Sequence, residues 1–280
     1  FEVDDLITKN VEVSAVTSGK LWFPKNKKSP YLDFQTHVSE GDVSKTSHYL
    51  PVSIMNKSLV KWLDEGLVSG KVDKGTIIFN GKLKDFPFNN KEGVFLVDVA
   101  TSNVTLNYQN GWPKITKSKA ALNFTGQGMN INVVSSESGN NVMRNSSAVI
   151  KSFRKPQLEL GISATGSAHN AAHYLVNTPV LHQAKKTIDS MRLSGNVDVS
   201  INVSIPLNDK LRKTTPLAYS GAVKLYDTSL TILDDKLDIT NGNGNITFTN
   251  KMISSENLTA NILGEKASLS ISSDDKNIKI

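Results

Sequence analysis

The sequence predicts a mainly β protein: a long antiparallel sheet with a few short helices. Apolar and polar residues alternate with a period of two in many segments, Gly-rich turns separate these segments, and related segments recur in order along the chain. A period of two is typical of a strand with one face in water and one dry face. The dry faces of neighbouring strands would combine into one apolar surface.

The longest alternating segment is LSGNVDVSINVSIPL, residues 193–207. Apolar side chains point one way from Leu193 to Ile205, interrupted only at Gly195, and mostly Ser and Asn side chains point the other way. Thirteen residues of strand span about 43 Å, whereas a usual strand has about five or six residues. Alternation alone is found both in an open apolar groove and in the core of a closed two-sheet sandwich, and by itself it favours the sandwich. The length of this strand and the repeat described below favour the groove.

Further strands are predicted along the chain from alternating apolar positions. These positions are Ile77, Phe79 and Leu83; Val104, Leu106 and Tyr108; Leu122 and Phe124; Met129, Ile131 and Val133; Leu158, Leu160 and Ile162; Val223 and Leu225; Ile246 and Phe248; Leu258, Ala260 and Ile262; Ala267, Leu269 and Ile271. Hairpin turns are predicted at QNGWP (109–113), TGQG (125–128), ESGNN (137–141) and TNGNGN (240–245), because Asn-Gly and Gly pairs suit tight turns.

Two segments have helical spacing instead. In residues 56–70 the apolar positions are Leu59, Trp62, Leu63 and Leu67, with Asn56 or Ser58 able to cap the start and Gly66 or Gly70 able to end the helix. Residues 167–191 predict two short helices divided at Pro179. The first helix would either plug the apolar face or cover a sheet edge. Edge cover is preferred because the opposite helix face is charged.

Three blocks of sequence recur after the helical segments. GTIIFNGKLKDFPF matches GNVDVSINVSIPL, GVFLVDVATSNVTL matches GAVKLYDTSLTIL, and AALNFTGQGMNI matches GNITFTNKMIS. The first match aligns Gly75 with Gly195 and Pro87 with Pro206, and the offsets lie between 119 and 128 residues. We interpret this as tandem duplication of a unit of about 120 residues. The predicted organisation is leading strands at 1–48 and repeat units at 49–165 and 166–280.

Composition excludes several classes of function. The chain of 280 residues has no cysteine and a net charge of +6, which would suit an anionic partner. Its basic residues are scattered, however, and the one cluster, Lys25, Lys27 and Lys28, is interpreted as a solvated loop. No basic patch is interleaved with stacking aromatic residues, so nucleic-acid binding is not expected.

No catalytic residue, cofactor or metal site is predicted, and the chain is not expected to be an enzyme. His169 and His173 are four residues apart on a predicted helix, with His182 nearby, and could form a metal face. No carboxylate lies in that stretch before Asp189, so two exposed histidines on a short surface helix are the preferred interpretation. Nucleophile-elbow and phosphate-loop motifs are absent from the sequence.

The sequence from about residue 45 onward closely resembles YhdP-type members of the AsmA-like superfamily, bridge-like lipid transport proteins related to TamB. The residues that carry the resemblance are Tyr49-Leu50-Pro51, Trp62-Leu63, Gly75, Gly81, Phe86-Pro87-Phe88, Trp112-Pro113 and Phe124, and later Pro179, Gly195 and Ile205-Pro206-Leu207. The resemblance implies a long repeat-built sheet that curls into an open, apolar-lined half-pipe. It also implies a periplasmic location, with an inner-membrane anchor outside this chain.

The resemblance further implies a non-enzymatic protein that carries phospholipids between the inner and outer membranes. Its partners would be phospholipids, and the two membranes reached through regions outside this chain. The groove is predicted to be lined by Ile77, Phe79, Leu83, Val104, Leu106, Leu122, Phe124, Val197, Val199, Ile201, Val203, Val223, Leu225, Ile246 and Phe248. The alternative is a structural or adhesive all-β repeat protein whose apolar faces pack into a closed sandwich core without lipid.

Overall fold

The computed structural model describes residues 1–25, 29–50, 52, 55–179, 185–232, 237–273 and 278–279. Its strands are β1 (Glu2–Lys9), β2 (Val13–Trp22), β3 (Tyr31–Asp42), β4 (Leu67–Lys82), β5 (Val94–Leu106), β6 (Ile115–Thr125), β7 (Met129–Ser138), β8 (Asn141–Ile150), β9 (Gln157–Ser167), β10 (Met191–Pro206), β11 (Ala218–Ile232), β12 (Leu237–Thr249), β13 (Ile253–Ile262), β14 (Glu265–Leu269), β15 (Ser272–Ser273) and β16 (Ile278–Lys279). Its helices are α1 (Lys57–Gly66), α2 (Ala168–Val176), α3 (Lys185–Asp189) and α4 (Asp209–Arg212), with 3₁₀ helices at Val43–Tyr49 and Leu83–Asp85.

The described strands form one antiparallel sheet in which they follow chain order from β1 to β13. At the end of the sheet β13 pairs with both β14 and β15, and β15 pairs with β16. Antiparallel neighbours need only short connections, which is why a sheet can grow strand by strand along the chain. The mainly β class, the long antiparallel sheet and the few short helices are therefore confirmed.

The chain forms two compact units. The first unit comprises Phe1–Tyr108, Ile115–Val134 and Ser147–Gln157, and the second comprises Gln109–Lys114, Ser135–Ser146 and Leu158–Ile280. The predicted division into leading strands at 1–48 and repeat units at 49–165 and 166–280 is based on sequence similarity, not on compactness. It remains a prediction.

The helix predicted within residues 56–70 is α1. The side chain of Asn56 accepts a hydrogen bond from the backbone N–H of Ser58 at 2.8 Å, which caps the first turn. The helix ends at Gly66, and Leu67, predicted on the helix face, instead begins β4. The two helices predicted around Pro179 are α2 and α3, and Ser167 caps α2 through a bond from the backbone N–H of Asn170.

The predicted alternating strand is β10, which has 16 residues. Three of the four predicted turns connect strands. The fourth, TNGNGN, is wrong because residues 240–245 lie inside β12. There Asn241 and Gly244 have positive φ values of 53° and 139°, and the pairing with β13 shifts register. The residue types that favour hairpin turns also favour β-bulges, where one strand carries an extra residue.

Both units contain the same strand register. In the first unit Val99 lies opposite Gly75 on β4 and opposite Leu122 on β6. In the second unit Val223 lies opposite Val199 on β10 and Ile246 on β12. Every residue number in the second set exceeds its counterpart by 124.

The bulges repeat at the same offset. Asn103 and Lys117 have φ values of 50° and 51°, and Asp227 and Asn241, 124 positions later, have φ values of 48° and 53°. The proline match suggested by the sequence is wrong in structural terms. Pro206 is the last residue of β10, whereas Pro87 lies beyond the 3₁₀ helix that follows β4. The register likewise places Gly75 with Val199 rather than with Gly195.

Candidate functional site

The first unit has a mainly apolar face on β4, β5 and β6. Residues directly opposite one another in an antiparallel pair project from the same face of the sheet. The opposed pairs are Phe79 with Phe95, Ile77 with Val97, Val97 with Phe124, Val99 with Leu122, Val104 with Ser118, and Leu106 with Ile115. Six of the predicted groove positions therefore share one face: Ile77, Phe79, Val104, Leu106, Leu122 and Phe124.

An aromatic cluster occupies one end of this face. Phe79 stacks on Phe34 of β3 at 6.1 Å between ring centroids and meets Phe95 of β5 edge-on at 6.1 Å. Phe86 and Phe88, from the connection after β4, lie 6.0 Å and 5.2 Å from Phe79. Phe79 is only 8% exposed, whereas Phe86 is 46% exposed. The cluster thus fixes the connection onto the sheet and leaves an aromatic surface in solvent.

Leu83 does not belong to the strand face predicted for it. β4 ends at Lys82, and Leu83 begins the 3₁₀ helix that follows. Its side chain is 45% exposed. Alternation continues past the end of a strand whenever the next turn happens to contain an apolar residue, so a pattern of period two does not fix where a strand stops.

The second unit has an equivalent apolar face. The opposed pairs are Val197 with Leu225, Val199 with Val223, Ile201 with Gly221, Val203 with Tyr219, Val223 with Ile246, and Gly221 with Phe248. All eight groove positions predicted in this part of the chain share that face. Phe248 lies over Gly221, where an added Cβ would come within 2.5 Å of the ring. The glycine therefore leaves space for an aromatic ring on the sheet surface.

The reverse face of β10 is polar. Asn196, Asp198, Ser200 and Asn202 are exposed, while Val197 is buried and Val199 and Ile201 are half-buried. The hydroxyl of Tyr226 donates a hydrogen bond to Asp198 at 2.8 Å. The polar face of this strand is therefore exposed to solvent, whereas its apolar face is partly or fully buried.

The sequence missed several residues of these faces. Phe34, Phe95, Val97 and Val99 extend the face of the first unit, and Leu230 and Ile239 lie in a row with Leu193 and Ile262 in the second. The alternation of Phe95, Val97 and Val99 in VFLVDVA was a usable signal, but the intervening Leu96 obscures it. Assigning Phe34 required the pairing of β3 with β4, which a single strand does not reveal.

The sandwich alternative needs a second sheet packed on the first. In the described residues every strand belongs to one sheet. Within the described ranges, therefore, no strand is left over to form the second sheet of a sandwich.

Helix α1 packs at the ends of the strands. It contacts β4 and the 3₁₀ helix Val43–Tyr49, and Trp62 Nε1 donates a hydrogen bond to the carbonyl of Tyr108, just past β5, at 3.1 Å. β4 is paired with β3 on one side and β5 on the other. The expectation that this helix covers a sheet edge is therefore wrong, because the strand it contacts has no free edge.

The histidines lie on α2 as predicted. The rings of His169 and His173 are 4.2 Å apart, and His173 Nε2 lies 3.9 Å from a carboxylate oxygen of Asp189 on α3. His182 is outside the described residues. Within the described ranges, no three His, Asp or Glu side chains come together in a group that could hold a metal ion.

None of the helices that the structure describes combines the length and apolar composition needed to cross a bilayer. A sheet of recurring strand sets with a mainly apolar face in each unit defines a class of repeat-built β-sheet proteins. A family model described as YhdP protein matches residues 1–280. The chain belongs to this family, and the resemblance drawn from the sequence is confirmed.

The chain is also 27% identical over 264 residues, 93% of its length, to the intermembrane phospholipid transporter YhdP of Escherichia coli strain K12. It spans only 20% of the length of that curated relative. No solved structure matches the chain.

Proposed function

We propose that this chain is a non-enzymatic segment of a periplasmic phospholipid transport protein, in which the apolar face shields acyl chains from water. The observation that carries the proposal is the apolar face itself. Strand after strand contributes to it in a repeated register, and no second sheet covers it in the described residues. The name of the similar Escherichia coli protein, an intermembrane phospholipid transporter, supports the same function.

The dimensions of the face suit an acyl chain. Such a chain spans about half of a bilayer core of about 30 Å, whereas the 16 residues of β10 extend over about 53 Å. Each methylene kept out of water is stabilised by about 0.8 kcal/mol. Because an apolar face has no directional contacts, a chain can slide along it without meeting a deep local minimum.

The sheet is expected to curl into an open half-pipe around the lipid. Bulges bend strands and increase their twist, and they occur in neighbouring strands of both units. They are marked by positive φ values at Asn103 and Lys117 in the first unit, and at Asp227, Asn241 and Asn257 in the second. Headgroups would remain in water at the open side of the half-pipe.

In this proposal the protein is anchored in the inner membrane by a segment outside this chain. Phospholipids are its ligands, and regions outside the chain reach the inner and outer membranes. No catalytic step, cofactor or nucleic acid takes part.

The test is photo-crosslinking in cells, with a reactive amino acid placed in turn at Val199, Ser200, Ile201 and Asn202 of the full-length protein. The proposal predicts phospholipid adducts at Val199 and Ile201, and none at Ser200 and Asn202 on the polar face. Absence of adducts at all four positions, in a folded protein of normal abundance, would overturn it.

A pair of substitutions separates the proposal from a structural repeat protein. Val199→Asp places a carboxylate on the apolar face, and Ser200→Asp places one on the polar face of the same strand. On an open groove Val199→Asp leaves the protein folded but lowers the amount of bound phospholipid, whereas in a packed core it lowers the free energy of unfolding by several kcal/mol. Ser200→Asp is the control and changes neither quantity.

A further inference from the structure

Basic residues that are scattered in the sequence collect at one end of the strands in the first unit. Consecutive strands are antiparallel, so the connections after β2, β4, β6 and β8 lie at one end, and the connections after β1 and β3 lie at the other. Among described residues, the first set of connections has six basic residues, Lys25, Lys84, Lys91, Lys151, Arg154 and Lys155, against the acidic residues Asp85 and Glu92. The second set has Lys45, Lys57 and Lys61 against Glu12, Asp64 and Glu65.

We name these six basic residues the basic rim. In the sequence, Lys25 forms a cluster with Lys27 and Lys28 that was interpreted as a solvated loop. Lys25 is exposed, and the other two lie outside the described residues. The positive charge of the rim therefore comes mainly from connections that are more than 50 residues apart in the sequence.

Hydrogen bonds join these connections into one continuous structure. The backbone N–H of Lys84 donates to the Ser29 hydroxyl at 2.9 Å, which links the connections after β2 and β4. The side-chain amide of Gln127 donates to the carbonyl of Asn89 at 3.4 Å. The backbone N–H of Phe153 donates to the carbonyl of Gln127 at 2.7 Å. The connections that carry the basic side chains are thus joined to one another at one end of the strands and are not independent loops.

The rim has positive charge that the protein does not neutralise. Lys84 lies 3.8 Å from Asp85, but Lys151, Arg154 and Lys155 are exposed and make no ion pair with any residue that the structure describes. Such a group of free cations attracts anions from solution.

The rim also adjoins the apolar face. The aromatic cluster lies beneath the connection after β4, and Phe86 and Phe153 are 46% and 45% exposed at the strand ends. An acyl chain of about 15 Å that starts at the rim would cover about five residues of a strand. On β4 that distance runs from Lys82 to Ile77, past Phe79.

We infer that the basic rim binds the phosphate groups of phospholipids whose acyl chains lie on the apolar face, and that it favours headgroups with a net negative charge over zwitterionic ones. The inference rests on the proposed function. A phosphate cannot lie on an apolar face without a large loss of hydration, so it must project past the strand ends. The ammonium group of a zwitterionic headgroup would be repelled by the lysines that attract its phosphate.

The test uses the full-length protein purified from cells, with its bound phospholipids extracted and quantified by mass spectrometry. The rim variant carries Lys151→Glu, Arg154→Glu and Lys155→Glu. The matched control carries Lys45→Glu, Lys57→Glu and Lys61→Glu, which change the net charge equally at the opposite strand ends. The rim variant should lower the ratio of anionic to zwitterionic phospholipid by about threefold to tenfold, as expected for the loss of two or three exposed ion pairs. Total phospholipid per protein should stay the same, and the control should match the wild type.

Three results would overturn the inference. An unchanged ratio in the rim variant would refute the headgroup preference without contradicting the proposed function. Wild-type protein that contains no phospholipid would refute both the headgroup preference and the proposed function. In the third result, the wild type binds vesicles of anionic phospholipid, the rim variant does not, and the ratio of bound phospholipids is the same in both. The basic rim would then bind the surface of a bilayer and not the headgroups of lipids on the apolar face.

Discussion

Gly195 on β10 lies directly against Thr228 on β11, so that a Cβ added to Gly195 would be 2.5 Å from the Cα of Thr228. Gly195 has a φ of +85° and faces the bulge at Asp227. The first unit repeats this arrangement, since Gly70 has a φ of +138° and an added Cβ would be 2.7 Å from the Cα of Val104, beside the bulge at Asn103. The glycine and the bulge form a structural pair that bends two neighbouring strands together.

Gly195→Ala should therefore be more destabilising than a change of backbone conformation alone explains. Gly264→Ala is the matched control, because Gly264 has a φ of +89° with nothing within 4 Å of its added Cβ. We expect the control to lower the free energy of unfolding by about 1 kcal/mol and Gly195→Ala by about 3 kcal/mol, since the overlap with Thr228 adds to the strain. Urea denaturation measures both losses, and equal losses would contradict the close approach.

Phe79→Ala should destabilise the first unit by about 3 to 4 kcal/mol, because it removes the buried centre of the aromatic cluster and leaves a cavity among four other rings. Phe86→Ala removes a ring that is 46% exposed, and should lower the free energy of unfolding by about 1 kcal/mol. Chemical denaturation of the two variants gives the comparison. A larger loss for Phe86→Ala would mean that the cluster is centred elsewhere.

Asn141→Asp should loosen the attachment of α2 to the turn between β7 and β8. The side-chain amide of Asn141 donates to the carbonyls of Gly139 and Asn170 at 3.0 and 3.2 Å, and the residue is 8% exposed. A carboxylate cannot donate these bonds, and we expect a loss of about 2 to 3 kcal/mol. Amide hydrogen exchange should be faster in α2 than in the wild type. The neighbouring exposed Asn140→Asp serves as the control, and equal exchange in both variants would refute the role of Asn141.

The pKa of Glu12 should depend on His48. A hydrogen bond with His48 Nδ1 at 3.1 Å is the main cause that holds the pKa of Glu12 below its ordinary value of 4.5, and a bond from the Tyr49 hydroxyl contributes less. Because the folded-state pKa is lowered, the stabilisation is present above pH 4.5 and is lost as the pH falls through the lowered value. In an NMR titration of the Glu12 carboxyl carbon, His48→Ala should raise the pKa more than Tyr49→Phe does. The reverse order would contradict the assignment.

The sequence predicted the class of fold well, because that class depends on patterns within single strands. Alternation located β10, and Asn-Gly and Gly pairs located three connections. The same signal failed at TNGNGN, since positive φ values are needed in bulges as well as in turns. The alignment of Gly75 with Gly195 was also wrong. The two units share a strand register, but the side chains at equivalent positions, such as Gly75 and Val199, differ, so matching residue types gave the wrong offset.

The candidate site was only partly predictable, because its extent depends on which strands are neighbours. Phe34 joins the apolar face through its pairing with Phe79, a relationship that no local pattern contains. The basic rim is a clearer case. Lys84 and Lys151 are far apart in sequence and meet at one end of the sheet only because consecutive strands reverse direction. Charge that is dispersed along an antiparallel chain can thus be concentrated in space.

The offset of 124 residues between equivalent positions relates chain length to distance. Six steps in sheet order separate β4 from β10, so each strand with its connection uses about 21 residues and widens a sheet by about 4.8 Å. Adding or deleting one whole repeat would change the width by about 29 Å without altering the register of any other pair. The width of such a sheet can therefore change by whole repeats, and an insertion that is not a whole repeat would be accommodated only in the connections.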